Sequence, residues 1–468
     1  MYQVPFDVPH ITYDVALEQL HSALRFGICP MLETVEDMLS ELGDPDLCFE
    51  SLQVAGTNGK TSTSRYAAAI LMGEGKKCAL YTSPELVSYT ERMEVGGSPV
   101  SAEDFAYGIS AAHVAGERVN ARRREAGERP YDITEFDTLT VAAMVVFARA
   151  GVDVAVLECG MGGRWDATSA AKSIRSVAVT GIGLDHIKVL GDTLEAIAGE
   201  KAAIIKPGRT CVLGAGTATP ASVEDVFLDQ CRESGVEPVL LRPSDPSDAA
   251  GEMQPGEPRE HRDFPLATYK VKKRPRRLGF PLELDVTTPR AGYLELAALK
   301  PGYQAANIAC AVVLCENYLG RALDAAALYE SVVSCPTPGR FQLLRPEPPV
   351  LIDACHNPQS VGAFLSAMAE IEPDPAARPA LLCAVLADKD VDGIARLLAP
   401  AFPRVYVTQT TSPRALPAAE LAEVFHSEGA EVAGVYGSVP DAVSSLCGES
   451  YVACGSITLA GEVAAEFA

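Results

Sequence analysis

A glycine-rich turn between a predicted strand and a predicted helix constrains the fold of this chain more than any other segment. Residues 51–55 form a short apolar run typical of a strand, residues 56–62 read Gly-Thr-Asn-Gly-Lys-Thr-Ser, and residues 60–72 have the composition of a helix. A second strand is predicted over residues 78–81. Because the glycines let backbone N–H groups turn inward and a helix N-terminus carries positive potential, the segment predicts a site for nucleotide phosphates.

Within this turn, the residue types suit phosphate and metal chemistry. Lys60 would supply a charge for the β and γ phosphates, and the hydroxyl of Thr61 or Ser62 would hold Mg²⁺. The full P-loop pattern has a glycine five residues before Gly59, where this chain has Val54. The alternative is an ordinary turn between a strand and a helix.

Near-continuous apolar runs alternate with helical stretches along the rest of the chain, as expected for parallel strands covered on both faces. The alternation predicts an α/β protein with a P-loop-containing, doubly wound N-terminal domain and a smaller, Rossmann-like α/β C-terminal domain. We place the boundary in the Pro- and Gly-containing residues 334–339, which gives domains of residues 1–336 and 337–468. The further strand candidates are residues 152–158, 176–182, 349–353, 380–386, 405–408 and 451–454.

Two neighbouring segments depart from this alternation. Residues 242–265 are rich in Pro, Gly, Asp and Glu, which predicts an exposed loop. Residues 270–278 carry Lys or Arg at six of nine positions. We favour a solvated strand face for this basic segment, and a site for a polyanionic ligand is the alternative.

Composition narrows the class of protein. The chain of 468 residues is 48% hydrophobic and carries a net charge of −23, which argues against broad contact with nucleic acid. No run approaches the roughly 18 apolar residues of a membrane span, and the first residues resemble no secretion signal. The thirteen cysteines show no CxxC spacing and several fall in predicted strands. We therefore expect reduced thiols in a cytoplasmic protein with no membrane partner.

Polar residues follow the ends of two predicted strands in the N-terminal half. Glu158 ends one strand and precedes a glycine-rich turn that contains Arg164 and Asp166. Mg²⁺ prefers hard oxygen ligands beside phosphates, so Glu158 is a metal candidate, with helix capping as the alternative. His186 follows the next strand, at the same predicted edge of the sheet. It would act either as a metal ligand or as a structural histidine.

Lys201 lies on the apolar stripe of a helix predicted over residues 193–205, four residues after Ile197. An inward-facing lysine needs a partner or loses its proton. It would pair with Glu200 or Glu158, point at a phosphate, or react with CO₂ as a neutral amine to give an anionic carbamate. Composition leaves these options open.

The C-terminal half has a second set of polar residues at a predicted strand end. Arg340 stands at the domain boundary, Asp353 ends a strand, and His356 precedes an Asn-Pro turn. Together they suggest a binding edge, and an N-capping role for Asp353 is the alternative.

Taken in order, these pieces resemble the folylpolyglutamate synthase/dihydrofolate synthase family within the superfamily of ATP-dependent Mur-type amide ligases. The P-loop and Asp185-His186 are shared across that superfamily, whereas Gly162-Gly163-Arg164 with its Asp-Ala-Thr and the His-Asn-Pro turn single out the folate branch. The matching segments are residues 56–60, 82–84, 162–164, 166–168, 184–186, 190–193, 197–198, 200–202, 338–340, 353, 356–358 and 388–390.

The resemblance implies roles for individual residues. The phosphates of ATP would bind at the P-loop, and residues near the domain junction would complete the ATP pocket. Mg²⁺ would have three ligands. The residues implied for ATP are Asn58, Gly59, Lys60, Thr61, Ser62, Asn307, Arg340 and Asp353. Those implied for Mg²⁺ are Ser83, Glu158 and His186, and Lys201 matches the family's carbamylated lysine. Those implied for the pterin and other substrate groups are Thr134, Glu135, Phe136, Asp137, Trp165, Asp166, Ala167 and His356. Lys60, Lys201 and His186 are the implied catalytic residues.

The chain also departs from the family pattern at several positions. In this chain Thr61 replaces the second glycine of the family's usual Gly-Lys-Gly-Ser. Glu85 replaces the histidine of the usual Ser-Pro-His, and Asp137 replaces the glutamate of the usual Phe-Glu. Ser169 and Cys355 are further replacements, and residues 242–278 match no motif of the family.

The leading hypothesis is an ATP-dependent ligase that adds L-glutamate to folates through an acyl phosphate, with dihydropteroate as a further acceptor. We expect small-molecule substrates, ATP and Mg²⁺ as cofactors, no nucleic acid partner and a monomeric state. One alternative is a peptidoglycan-type ligase that adds an amino acid to a UDP-sugar peptide, which Thr61 favours. Another is a nucleotide-binding regulatory protein without ligase activity.

Overall fold

A computed structural model describes residues 2–22, 31–249 and 263–467, and they form two compact units. The first unit comprises the described residues of Met1–Leu241, Pro255–Ala267 and Cys310–Ser331. The second comprises those of Arg242–Gln254, Thr268–Ala309 and Val332–Ala468. The chain therefore passes between the two units several times. The sequence predicted two domains with one boundary at 336/337, and that division stays a prediction.

Helices and strands alternate through both units. The helices are α1 Tyr13–Ser22, α2 Leu32–Glu41, α3 Lys60–Gly73, α4 Ala102–Glu125, α5 Glu135–Ala150, α6 Ile187–Leu190, α7 Leu194–Ala202, α8 Ala221–Ser234, α9 Gln304–Leu319, α10 Ala325–Ser334, α11 Pro358–Ile371, α12 Val391–Leu398, α13 Ala418–Ser427, α14 Val439–Ser445 and α15 Ile457–Ala465. The strands are β1 Glu50–Ala55, β2 Cys78–Tyr81, β3 Met93–Val95, β4 Ser98–Pro99, β5 Val154–Glu158, β6 Ile174–Gly181, β7 Thr210–Gly216, β8 Pro238–Pro243, β9 Leu266–Lys273, β10 Leu282–Thr287, β11 Gly292–Ala298, β12 Gln342–Pro346, β13 Pro349–Ile352, β14 Ala380–Cys383, β15 Val405–Val407, β16 Val432–Val435 and β17 Tyr451–Cys454.

The first unit is built on a mostly parallel sheet. Its strands follow the order β8-β7-β6-β1-β5-β2-β3-β4, and the pairs from β8 to β2 are parallel. Every residue of β5 is buried, as its unbroken apolar sequence predicts for a strand covered on both faces. Because β1 lies between β5 and β6, the segments after these three strands emerge at neighbouring positions along one edge of the sheet.

The second unit contains a smaller parallel sheet and three antiparallel strands. The smaller sheet has the order β12-β13-β17-β14-β15-β16, in which β12 alone runs antiparallel to its neighbour. Strands β9, β10 and β11 pair antiparallel. The smaller sheet's core includes Phe364 and Phe425, both almost completely buried. The predicted doubly wound α/β fold class is confirmed.

The prediction of an exposed loop over residues 242–265 is confirmed for residues 244–247, which are exposed, and is wrong on either side of them. Strand β8 continues to Pro243, and Arg242 is buried. Asp248 is buried too, because the Arg274 guanidinium (2.7 Å) and the Val271 N–H (2.9 Å) satisfy its two carboxylate oxygens. Residues 250–262 lie outside the described part of the chain.

The basic segment forms the end of β9 and the turn that follows. Lys273 is 2.8 Å from Glu283 and Lys272 is 3.5 Å from Asp285, both on the paired strand β10. Opposite charges across a strand pair are the ordinary partners of such residues. The solvated strand face is thus confirmed for these two lysines.

Two absences hold for the described ranges. No disulfide joins any cysteine among them. Their helices include none that is both long and apolar enough to cross a membrane.

Candidate active site

The glycine-rich turn connects β1 to α3 as the sequence predicted. Gly59 has a φ of 82° and Gly56 a φ of 153°, backbone conformations that favour glycine. At Gly56 a side chain is also excluded by space, since a Cβ would lie 1.9 Å from Thr180 Oγ1. The Lys60 Nζ folds back over the turn and donates to the carbonyls of Gly56 and Thr57, both at 3.1 Å. The turn therefore holds a lysine ammonium at the N-terminus of α3.

Glu158 brings three segments together at the end of β5. Its side chain is almost completely buried, and its strand pairs with β1 so that Val54 faces Glu158. Oε1 accepts a hydrogen bond of 2.8 Å from the Thr61 hydroxyl, and Oε2 accepts one of 3.4 Å from the backbone N–H of Ser83. The Glu158 carboxylate and the Thr61 hydroxyl are hard oxygen donors, which fit Mg²⁺.

His186 lies at the same edge of the sheet but is half exposed. It precedes α6 with a φ of 51°, and its Nε2 is 3.9 Å from Asp185 Oδ2. Among the described residues, no group of three or more His, Cys, Asp or Glu side chains has the spacing of a metal site. A metal site that includes His186 would therefore depend on the Ser83 and Thr61 oxygens as well as on Glu158.

Lys201 is buried on α7, which confirms the inward-facing position predicted from its stripe. Its Nζ donates to the Gly56 carbonyl at 2.8 Å, the same oxygen that Lys60 contacts at 3.1 Å. Burial, with the nearby Lys60 charge as the second cause, lowers the pKa of Lys201 to about 7. A substantial fraction of this side chain is therefore a neutral amine at physiological pH.

Glu200 is engaged elsewhere. Its carboxylate accepts from Arg164 Nε at 2.9 Å, and its backbone carbonyl accepts from the Arg164 N–H at 2.8 Å. These bonds fasten the glycine-rich turn after β5 to α7, and a Cβ at Gly163 would lie 3.0 Å from the Glu200 carbonyl. Arg164 thus links the turn after β5 to α7, the helix that carries Lys201.

Within that turn, Asp166 organises the backbone. Its buried carboxylate accepts from the N–H groups of Met161 (2.9 Å) and Thr168 (3.0 Å), and burial raises its pKa. It caps the short 3-10 helix Ala167–Ala170. Trp165, immediately before it, is 50% exposed, a large apolar surface left open beside the site.

The predicted substrate segment 134–137 begins α5. Thr134 and Asp137 form a capping box, with the Asp137 N–H donating to Thr134 Oγ1 at 3.1 Å and the Thr134 N–H to Asp137 Oδ2 at 3.0 Å. Burial raises the pKa of Asp137. Phe136 packs against Tyr81 and against Gly160, whose Cβ would lie 2.6 Å from the Phe136 ring.

A charged group that the sequence did not identify lies close by. Arg92 forms an ion pair with Glu85 and stands 5.0 Å above the Tyr89 ring. Tyr89 in turn donates to Glu135 Oε1 at 2.9 Å. The Glu85 that replaces the family's usual histidine is therefore the partner of a largely buried arginine.

In the second unit, Asp353 is bound to the main chain. It is buried at the end of β13, where it accepts from the Phe341 N–H and the Cys355 N–H, both at 2.8 Å. Burial raises its pKa, although Arg340 acts in the opposite direction. The suggested N-capping role for Asp353 is wrong, since the capping box of α11 is formed by Asn357 with Ser360.

The other predicted residues of this unit have partners of their own. Asn307 Nδ2 donates to Gln304 Oε1 at 2.9 Å on α9. His356 Nδ1 is 2.8 Å from the Ala354 carbonyl. Lys300 and Tyr303, which the sequence did not identify, contact the Arg340 carbonyl at 2.7 Å and Asp353 Oδ2 at 3.4 Å. A Lys-Pro-Gly turn before a helix was the one available signal.

The fold and the strand-end cluster define a P-loop ligase of the Mur type. Residues 54–215 match the Mur ligase middle domain, and residues 339–452 match the Mur ligase glutamate ligase domain. Within that class, the chain belongs to the folylpolyglutamate synthase/dihydrofolate synthase family.

Relatives and solved structures carry this assignment. The dihydrofolate synthase/folylpolyglutamate synthase of Mycobacterium tuberculosis is 33% identical over 84% of this chain and 77% of its own length. The folylpolyglutamate synthase of Lacticaseibacillus casei is 28% identical over 95% of this chain and 97% of its own. The crystal structure of M. tuberculosis folylpolyglutamate synthase with ADP and AMPPCP has a TM-score of 0.82 and 28% identity, covering 97% of this chain and 99% of that one.

Proposed function

We propose that this protein is an ATP-dependent ligase that joins the amino group of L-glutamate to a folate carboxylate, with dihydropteroate as a further acceptor. The observation that carries the proposal is the convergence of Lys60, Lys201 and Glu158 at one glycine-rich turn, at the carboxyl edge of a parallel sheet. This edge is where open α/β sheets bind ligands. The named relatives favour the folate reaction over the peptidoglycan-type alternative.

The reaction proceeds in two covalent steps. An oxygen of the folate carboxylate attacks the γ-phosphorus of ATP, forming an acyl phosphate as the bond to the ADP oxygen breaks. The amine of glutamate then attacks the acyl carbon, the bond to phosphate breaks, and the amine loses a proton. Lys60 offsets negative charge on the transferring phosphoryl oxygens, which is where such reactions gain most of their stabilisation.

We assign ATP binding to Asn58, Gly59, Lys60, Thr61, Ser62, Asn307, Arg340 and Asp353. Ser83, Glu158 and His186 would hold Mg²⁺, which when bound would neutralise charge on the β and γ phosphates. The hydrogen bonds that Glu158 accepts from Thr61 and Ser83 support this, because they fix the orientation of its carboxylate. Residues 1–336 would then supply nucleotide and pterin binding and residues 337–468 glutamate ligation.

We also propose that Lys201 is carbamylated. Its neutral Nζ forms a bond to the carbon of CO₂ and releases a proton, which leaves an anionic carbamate. Its pKa of about 7 supplies the neutral amine, and the second lysine on the same carbonyl supplies a counter-charge for the product. The modification replaces a repulsion between two ammonium groups with an attraction.

The pterin would bind against Thr134, Glu135, Phe136 and Asp137 and against Trp165, Asp166 and Ala167, with His356 contacting the acyl acceptor or glutamate. The exposed indole of Trp165 supports stacking, since aromatic planes pair readily. The capping bonds of Thr134, Asp137 and Asp166 support a positioning part for these three rather than direct chemistry. A monomer acting in the cytoplasm belongs to the same proposal.

The deciding experiment measures phosphate release from ATP with L-glutamate and a panel of acceptors. Dihydropteroate, folate, tetrahydrofolate and a UDP-sugar peptide are each supplied with Mg²⁺, and the products are identified by mass. We expect release with the pteridine acceptors and a mass gain of one glutamate. Release with the UDP-sugar peptide alone would establish the peptidoglycan-type alternative, and no acceptor-dependent release would leave a nucleotide-binding regulator.

A further inference from the structure

The turn formed by residues 338–341, here called the arginine turn, has a strained backbone. Phe341 has a φ of 45° and Gly339 a φ of 65°. A bulky residue rarely adopts the left-handed region, and such strain persists only where surrounding contacts determine it. The residue between these two is Arg340, which is assigned above to ATP.

Three contacts hold Phe341 in this conformation. Its ring is buried in the core of the smaller sheet, with its centroid 5.9 Å from that of Phe364. Its N–H donates to Asp353 at 2.8 Å. The Lys300 Nζ donates to the carbonyls of Arg340 (2.7 Å) and Phe341 (3.4 Å).

Lys300 reaches the turn from the segment after β11, whereas Asp353 follows β13 and Phe364 lies on α11. Lys300 follows β11 by two residues, and its own N–H is tied to the Ala298 carbonyl at 2.8 Å. Its ammonium therefore reaches the arginine turn from a separate segment of the second unit. A charged donor on two successive carbonyls restricts both peptide planes, and so restricts the direction in which the Arg340 side chain leaves the backbone.

We propose that Lys300 is a positioning residue for nucleotide binding, because its ammonium fixes the main chain of the arginine turn and thereby aims the Arg340 guanidinium at ATP. The proposal rests on the assignment of Arg340 to the ATP site. Lys300 itself contacts backbone carbonyls and takes no part in the chemistry.

The protonation of Lys300 makes this role dependent on pH. Burial lowers its pKa to about 8; Asp353 and Cys335 act in the opposite direction, and Arg340 lowers the pKa further. Among the described residues, these three charged or titratable groups act on Lys300, from the end of β13, the segment after α10 and the turn itself. Above pH 8 the lysine becomes neutral, and its bonds to the two carbonyls lose their charge assistance.

The test measures the dissociation constant of ADP by calorimetry for the wild type, Lys300→Met, Arg340→Gln and the double variant. We expect each single variant to bind ADP about tenfold more weakly and the double variant to add little, because both changes disable the same guanidinium contact. Lys273→Met, which removes an exposed lysine paired with Glu283, is the control and should bind as the wild type does. Multiplying losses in the double variant, or an unchanged affinity in Lys300→Met or Arg340→Gln, would overturn the proposal.

A second measurement follows affinity from pH 7 to 9.5 in the wild type and in Lys300→Arg. Arginine stays charged over this range, so Lys300→Arg should retain ADP affinity at pH 9 where the wild type loses it. Lys201 titrates in both proteins, and the difference between them therefore isolates Lys300. Parallel pH profiles would overturn the proposal. Glutamate ligation is assayed separately, so a protein that binds ADP as described but forms no amide would refute the proposed function and leave this inference standing.

Discussion

The P-loop edge of the first unit and the arginine turn of the second use charged side chains in opposite ways. At the P-loop edge, two lysines share one carbonyl, and a carboxylate is held by a hydroxyl and an N–H. At the arginine turn, Asp353 and Lys300 bind the main chain and hold a strained conformation. The first region gathers ionisable groups around one glycine-rich turn, whereas the second uses them to hold the main chain. Variants of the first should lose chemistry, and variants of the second should lose stability or affinity.

Lys60→Ala gives the largest expected effect. Removing a fixed charge from the site of phosphoryl transfer should lower kcat by about 10³-fold, with little change in the melting temperature. Lys172→Ala, which removes an exposed lysine paired with Asp44, is the control. Activity near that of the wild type would show that the glycine-rich turn is an ordinary connection between strand and helix.

Lys201→Ala should also abolish turnover, and here the chemistry of rescue tells two models apart. If the residue acts as a carbamate, acetate or formate should restore part of the activity by supplying an anion at the vacated position. Short amines are the matched additive and should do nothing. Rescue by amines would mean that an ammonium is what the site needs. Electron density that ends at the Lys201 ε-nitrogen in crystals grown with bicarbonate would also count against the carbamate.

Glu158→Gln should raise the Mg²⁺ concentration for half-maximal activity by about tenfold or more, because an amide is a weaker ligand than a carboxylate. Its melting temperature should change little. Glu94→Gln is a matched variant with the reverse expectation, since Glu94 is a buried partner of Arg65 at 2.6 Å and breaking such a pair is costly. If Glu158→Gln instead lowered the melting temperature and left the Mg²⁺ response unchanged, Glu158 would be structural.

Asp353→Asn probes the scaffold. The amide cannot accept both backbone N–H groups, and its NH₂ would face one of them, so we expect a loss of about 2 kcal/mol in the free energy of unfolding. Urea denaturation measures this loss. Asp388→Asn changes an exposed partner of Arg414 and should cost less than about 1 kcal/mol. Equal losses for the two variants would show that Asp353 stabilises the fold no more than an exposed ion pair does.

Thr134→Ala gives the smallest expected effect, about 1 kcal/mol of stability from the lost cap of α5. Ser101→Ala removes the corresponding cap of α4 and should cost a similar amount. The two variants differ in their expected KM for the pteridine substrate, which should rise only for Thr134→Ala. A KM unchanged in both would reduce Thr134 to a helix cap.

Much of the fold could be predicted from apolar runs. Strands β2 and β17 match the predicted residues, and β1 differs by one residue, because strands covered on both faces leave an unbroken apolar signal. Strands β9 to β11 were not predicted as a group, since their alternating charged residues resemble a solvated surface. The helix predicted over residues 193–205 ends at Ala202, five residues before Pro207.

The site was predictable to the extent that it depends on side-chain type. The inward position of Lys201 could be predicted from its spacing along the helix. Its partner, the Gly56 carbonyl, could not, because every residue has a backbone carbonyl and the sequence does not distinguish one from another. The same holds for Lys300, whose partners depend on the left-handed conformation of Phe341. The pairing of Glu85 with Arg92 joins two residues of the connection between β2 and β3, and it depends on how that connection folds.

The oxygen shared by Lys60 and Lys201 belongs to the main chain of Gly56. No codon change removes it, and Thr180 excludes any side chain from that position. The spacing of the two lysines is thus protected against mutational drift at the residue that sets it. Directed evolution of this ligase can replace the two lysines or the side chains around them. The carbonyl that both lysines contact is part of the backbone, so no substitution removes it.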